Sequence, residues 1–174
     1  MRVIAGEFRS RRLKAVPGLD TRPTPDRVRE ALFNVLAPEI QDCVFLDGYA
    51  GTGAVGIEAL SRGASRAIFI ERSKPAIEVI RENLKSLGLL RRAEVLQGRV
   101  LQYVNRREAD IVFLDPPYSL ESEYREALDL LGADPPPLVI VQHAARFEVP
   151  DECGAIHRTR KLKHGDNVLS FYRP

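Results

Sequence analysis

Asp115-Pro116-Pro117-Tyr118 sets a carboxylate, two backbone-restricted residues and an aromatic ring side by side. The quartet follows the apolar run Ile111-Val112-Phe113-Leu114, so Asp115 is expected at the end of a buried strand. Its carboxylate can accept one N–H, and the carbonyl of Pro116 can accept another, because prolines hold such a turn extended. The ring of Tyr118 can stack on a flat base, excluding water and fixing its orientation. A ring-bound amine is a poor nucleophile while its lone pair is delocalised. Two acceptors placed off the ring plane favour the tetrahedral geometry that releases it. No Cys or Ser is placed for a covalent intermediate, so direct in-line transfer to such an amine is the expected chemistry. The plainer reading is a strand-terminating turn with structural prolines.

A second stretch, Val44 to Glu58, reads as a buried strand ending on an acid, a glycine-rich turn and the start of a helix. Gly51-x-Gly53-x-x-Gly56 matches a dinucleotide fingerprint, and Glu71 lies where an acid can hold a ribose. Asp47 argues for a different ligand. A pyrophosphate at the helix N-terminus is doubly negative and would be repelled by a carboxylate there. S-adenosylmethionine has a ribose and an adenine but no phosphate, and its sulfonium and ammonium are attracted to an acid. A glycine turn without a ligand remains the simpler alternative.

Elements must bring these stretches together. The sequence predicts strands at about 43–47, 67–70, 93–96, 111–114 and 138–141, alternating with helices at about 53–62, 74–87, 100–104 and 121–131. Two antiparallel strands, 154–162 and 167–173, are expected to close the chain around Gly165-Asp166. This is an α/β pattern: a mostly parallel Rossmann-like sheet flanked by helices, with an antiparallel C-terminal part. Ligands of such sheets bind beyond the carboxyl ends of the strands, where Asp47, Glu71 and Asp115 all fall. Ahead of it, residues 2–5 and 12–16 suggest a β-hairpin with a basic tip, in which Phe8 could stack on a base. Thr24 reads as an N-cap and Pro25 as the first helical residue of a further helix. The division expected is an appendage over 1–37 and a ligand-binding domain over 38–174.

Composition narrows the class. The chain has 174 residues, 44% of them hydrophobic, and a formal net charge of +2. No apolar run is long enough to span a membrane, and the start lacks a signal-peptide core. Two cysteines suggest a reduced, cytoplasmic setting, and the scattered histidines suggest no metal site. Charge is uneven: residues 1–30 hold eight Lys/Arg against four acids, and a second basic cluster spans His157 to His164. Such clusters are either solvated faces or phosphate-binding surface.

On four blocks the chain resembles class I S-adenosylmethionine-dependent methyltransferases, and more closely the bacterial 16S rRNA guanine-N2 methyltransferases of the RsmD type. The blocks are Arg2 to Gly6 with Arg11 to Leu13, Arg22 to Asn34, Leu46 to Gly63, and Asp115 to Tyr118. The resemblance implies that Asp47, Gly51, Gly53, Glu71 and Asp115 hold the cofactor. It adds Gly48, Tyr49 and Arg72, and the stretch Gly98, Arg99, Val100 beside adenine. Asp115 and Pro116 would hold the target amine, with Pro117 and Tyr118 completing the corner. Arg9, Arg11, Arg12, Arg22, Thr24, Arg27 and Arg29 would contact RNA, with salt-sensitive binding. Two features depart from relatives: Gly48-Tyr49 replaces a bulkier apolar residue and Phe, and Arg99 stands near a position where an acid often meets the adenine amine.

The implied substrate is a guanine turned outward from a loop or bulge, in 16S rRNA or a partly assembled 30S subunit, and the protein is expected to be a monomer. Other readings are adenine-N6 methylation of DNA or RNA, glutamine methylation of protein, dinucleotide-dependent oxidoreduction, and a non-catalytic RNA-binding assembly factor. A DNA enzyme usually carries a separate recognition domain, for which there is little room. Glutamine methyltransferases favour Asn where Asp115 stands. A dinucleotide enzyme leaves Asp47 and the proline corner unexplained.

Overall fold

A computed structural model describes residues 1–18 and 24–174. Helix α1 (Asp26–Leu36) leads into alternating strands and helices: β1 (Val44–Gly48), α2 (Ala54–Ser61), β2 (Arg66–Glu71), α3 (Lys74–Ser86), β3 (Ala93–Gln97), β4 (Ile111–Leu114), α4 (Glu121–Ala133) and β5 (Leu138–Ala144). Three antiparallel strands follow, β6 (Glu152–Cys153), β7 (Ile156–His164) and β8 (Asn167–Arg173). The sheet order is β3-β2-β1-β4-β5-β8-β7-β6. β1 to β5 run parallel, and β8 inserts antiparallel against β5. The fold matches the expected class. Its differences are local: residues 100–102 form a single 3-10 turn instead of a helix, and the two-residue β6 carries too little pattern to be read in advance.

The strands are apolar on both sides because both faces of the sheet are covered. One face packs Leu46, Ile70, Val112 and Val141 against Tyr124, Leu128 and Leu131 of α4. On the other, Phe45, Phe113, Ile140 and Phe171 receive α1 through Val28, Leu32, Phe33 and Leu36. Each of these four side chains contributes about 2 kcal/mol on burial, which holds α1 in place without a side-chain cap at its start. Gly56 meets a packing demand: a Cβ there would lie 2.4 Å from Phe69 Cε1, so α2 could not sit this close to β2.

The N-terminal hairpin is short: around the antiparallel bridge Arg2 to Arg12, the Val3 N–H donates to the Arg11 carbonyl (2.9 Å), the Ser10 N–H to the Val3 carbonyl (2.9 Å) and the Leu13 N–H to the Met1 carbonyl (3.1 Å). Side chains of α2 anchor it to the domain. Glu58 is fully buried, and its carboxylate accepts the N–H groups of Ile4 (2.8 Å) and Ala5 (2.9 Å). Ser61 donates to the Ala5 carbonyl (2.6 Å) and accepts from the Phe8 N–H (3.0 Å). Phe8 is half-buried against the cluster of Val3, Leu13, Ile57 and Leu84, so part of its ring is committed to packing. Helix α1 also starts one residue late. Pro25 is the N-cap, and the Thr24 hydroxyl is directed elsewhere.

Candidate active site

Parallel pairing places four loops at one edge. Gly48 is in register with Ile70 of β2 and Leu114 of β4, and Glu71 with Gln97 of β3. The glycine turn and the proline corner are therefore neighbours. The Asp115 N–H approaches the Gly48 carbonyl at 3.5 Å.

The turn after β1 runs through left-handed backbone at Tyr49 (φ 65°), Gly51 (φ 56°) and Gly53 (φ 79°). Glycine tolerates this region and tyrosine does not, so Tyr49 must be held there. Its hydroxyl donates to Glu123 of α4 at 2.5 Å, and burial together with that bond raises the phenol pKa, keeping it a donor. Arg99 reaches the other Glu123 oxygen at 3.3 Å. Tyr49, Glu123 and Arg99 thus tie together the ends of β1 and β3 and the first turn of α4. Neither Glu123 nor this use of Arg99 was legible: the bond joins residues 74 positions apart. Tyr49→Phe should raise the cofactor KM about fivefold while kcat moves less than twofold, because it loosens the turn and leaves the corner alone. Steady-state kinetics check this.

Beyond Gly51 the space is open: a Cβ built there meets no heavy atom within 4 Å. Below it lies Asp47, 2% exposed, whose carboxylate accepts the Gly56 N–H at 2.8 Å. Glu71 accepts from Gly51 N–H (2.9 Å), Arg72 N–H (2.9 Å) and Ser73 N–H (2.8 Å), so it also braces the turn. Arg72 contributes that N–H while its side chain is exposed. Burial pushes the Asp47 carboxyl well above its usual range, the Gly56 N–H opposes this, and the charges of Asp115 and Glu71 raise it further. Three carboxylates thus converge on an open cradle. A ligand with a sulfonium and an ammonium relieves their repulsion, whereas a pyrophosphate would add to it. Residues present at this edge fit S-adenosylmethionine for that reason.

Past β3, Gly98 sits against Tyr103, and its N–H donates to the Glu71 carbonyl at 3.0 Å. The Arg99 N–H is taken by the Gln102 side chain at 3.0 Å, and Val100 is buried in the core. The Val100 side chain reaches Gly48, where an added Cβ would lie 3.5 Å from its Cγ1, and the Arg99 guanidinium is turned to Glu123.

In the corner, Thr24 donates to Asp115 at 3.2 Å, so this residue belongs with the acid and not with an RNA phosphate. Burial raises the Asp115 carboxyl to about 7, with the Thr24 hydroxyl opposing. The Pro116 carbonyl accepts the Tyr124 hydroxyl at 3.2 Å. A carbonyl has two lone pairs, so one remains for a substrate N–H. Pro117 is exposed; Tyr118 is 45% exposed, and its hydroxyl donates to Asn167 at the start of β8 (2.6 Å). This orients the ring beside the acid. Only ionised Asp115 can take up the amine's surplus proton, and it is the stronger acceptor of an N–H, so kcat/KM should climb about tenfold per pH unit up to about pH 7 and level above it. A cationic cofactor favours the carboxylate, so the break in kcat should lie at lower pH. Rate profiles from pH 5 to 9 check both.

The basic residues divide. Arg29 is fully buried, donating to the Arg2 carbonyl (2.9 Å) and Asp26 (2.8 Å), and so cannot grip a phosphate. Arg9, Arg11 and Arg12 are exposed, but the tip is bound at Ser61, and Arg11 reaches the Ser86 carbonyl at 3.4 Å. Ser61 ends α2, about 12 Å of helix away from the glycine turn, whereas Ser86 lies one turn past Asn83, which donates to the Thr52 carbonyl of that turn at 3.1 Å. Arg27 is exposed in the first turn of α1, three residues past the Thr24 that bonds Asp115. Arg22 lies outside the described residues. Among the described residues no group of three His, Cys, Asp or Glu is arranged to hold a metal.

Fold and site together define a class I S-adenosylmethionine-dependent methyltransferase with an Asp-Pro-Pro-Tyr corner. The family model described as "Conserved hypothetical protein 95" matches residues 1–173, and the chain belongs to that family. It is 37% identical over 182 residues to YlbH of Bacillus subtilis, described as a candidate rRNA methyltransferase, across 99% of this chain and 98% of that protein. It is 42% identical over 123 residues to ribosomal RNA small subunit methyltransferase D of Haemophilus influenzae. That alignment covers 68% of this chain and 64% of the relative, under two thirds of its length. The solved structure of yhhF from Escherichia coli, described as a candidate methyltransferase, superposes with a TM-score of 0.82 at 35% identity, covering 99% and 97% of the two chains.

Proposed function

We propose that the protein transfers a methyl group from S-adenosylmethionine to the exocyclic N2 amine of a guanine in 16S rRNA, during maturation of the small subunit. The observation that carries this is the adjacency of the acid corner to the glycine turn through β1 and β4. Asp47, Gly48, Tyr49, Gly51, Gly53, Glu71 and the backbone of Arg72 and Gly98–Val100 would hold the cofactor, Glu71 exchanging backbone partners for ribose hydroxyls. The bound cofactor supplies an electrophilic methyl. Asp115 and the Pro116 carbonyl accept hydrogen bonds from the two amine N–H groups and draw the nitrogen out of the ring plane. Tyr118 covers the base, and Thr24 and Tyr124 hold the two acceptors in place. After attack the surplus proton leaves by way of Asp115, whose raised pKa suits it to receive one. We place the enzyme in the cytoplasm and acting as a monomer; no helix among the described residues is long and apolar enough to cross a membrane.

The test is incubation of labelled cofactor with unmodified 16S rRNA and with assembled small subunits, followed by nucleoside analysis. Label in N2-methylguanosine is the expected result. Label in N6-methyladenosine would make the adenine reading correct, and cofactor binding without any transfer would favour a non-catalytic assembly factor.

A further inference from the structure

We infer that the outer strand β7, with the first turn of α1, forms the phosphate-contacting surface for RNA on either side of the target nucleotide; this rests on the rRNA reading above. β7 runs antiparallel to β8, and His164 is in register with Asn167. Asn167 is the residue that accepts the Tyr118 hydroxyl. The end of β7 therefore abuts the ring proposed to cover the base.

Strand β7 carries His157, Arg158, Arg160, Lys161, Lys163 and His164. Their charges are not equally available. Arg158 is paired with Asp151, and Lys161 with Glu148. Among the described residues, Arg160 and Lys163 are exposed and take part in no ion pair. Register places Arg160 opposite Phe171, Leu162 opposite Leu169 and His164 opposite Asn167. Phe171 and Leu169 belong to the cluster that packs on α1, and Leu162 packs against it. Arg160 and His164 thus share the face of the sheet that α1 covers, and Arg27 is exposed in the first turn of that helix. Lys163, one residue from the β7–β8 turn, extends the positive edge to the rim.

β6 pairs only with Ile156 and His157, so the outer edge of the rest of β7 is uncovered by the sheet. Cations on an open edge also discourage strand-to-strand aggregation. That role needs no particular position along the strand. Here the two unpaired cations and the half-buried His164 lie within about 13 Å of strand that leads directly to the base-covering tyrosine. The hairpin tip is bound at Ser61, the opposite end of α2 from the glycine turn, and offers no such continuity with Tyr118.

The test uses the full chain with Arg160→Glu and Lys163→Glu combined, against Arg9→Glu and Arg11→Glu combined. Affinity is measured at several salt concentrations for the form of 16S rRNA, naked or assembled, that the wild type methylates. The β7 variant should bind at least about tenfold more weakly, with the slope of log affinity against log salt reduced by about 1.5. The tip variant should change affinity less than threefold. Calorimetric cofactor affinity of the β7 variant should match wild type, which separates lost RNA contact from misfolding. An unchanged slope and affinity for the β7 variant, with wild-type methylation intact, would overturn this inference alone. A wild type that neither binds nor methylates the RNA would overturn the functional reading along with it.

Discussion

Asp115→Ala should slow methyl transfer at saturating substrate by about a thousandfold, with cofactor affinity within about threefold of wild type. The acid makes its contact to the amine as the nitrogen leaves the ring plane, so its loss falls on kcat; removal of one such preorganised partner is worth about 10²–10³. Loss of the proton acceptor adds to that. Asp115→Asn keeps the shape and one acceptor oxygen, and should recover part of the rate while losing the acid limb of the pH profile. Stability should move the other way. The folded carboxyl titrates near 7 against an ordinary 3.8, so the native state loses stability as pH rises through that interval. The melting temperature of Asp115→Asn relative to wild type should therefore climb between pH 5 and pH 8. Calorimetric binding, single-turnover rates and thermal melts at the two pH values check these outcomes. Surviving turnover in the alanine variant would mean that the corner is a structural turn.

The largest stability effect is expected at Glu58→Ala. Its carboxylate is fully buried and satisfies Ile4 N–H, Ala5 N–H and, at 2.8 Å, the Arg62 guanidinium. Truncation strands two backbone donors and a cation at once, at a cost of about 3–5 kcal/mol. For a chain of this size that lowers the melting temperature by about 10 °C. Residues 1–18 are held to α2 largely through Glu58 and Ser61, so they should become the first site of proteolytic cleavage. Glu58→Gln, which keeps an acceptor of the same shape, should lose less than half as much. Limited proteolysis and thermal melts report both; unchanged cleavage at the N-terminus would show that the packing of Val3 and Leu13 and the Asn83 bonds to Lys14 suffice to dock the segment.

Much of this was legible because α/β alternation writes itself into apolar runs. The strand ends, the glycine turn and the proline corner could be placed at one edge from spacing alone. Arg29 shows where the reading stopped short. It falls among Val28, Leu32, Phe33 and Leu36, on the apolar stripe of α1, and that position outweighs its charge. Glu58 and Ser61 lie on α2, a helix buried over its whole length, so no periodicity marked them; the signal was two polar residues in an otherwise apolar helix. Other features had no local signal. The bonds of Tyr49 to Glu123, Tyr124 to Pro116, Tyr118 to Asn167 and Thr24 to Asp115 join elements that only the folded sheet brings together. The short N-terminal hairpin was legible in its turn and alternation, but its anchoring was not, because the α2 acid that takes the Ile4 and Ala5 N–H groups lies 54 and 53 positions from them.

The most direct measurement is a crystal structure with S-adenosylhomocysteine. With a near-attack gap of about 3–3.5 Å and a hydrogen bond of about 3 Å, the sulfur should lie within about 8 Å of the Asp115 oxygens, its vacant methyl direction aimed between that carboxylate and the Pro116 carbonyl. A sulfur farther off, or aimed away from the corner, would contradict the account.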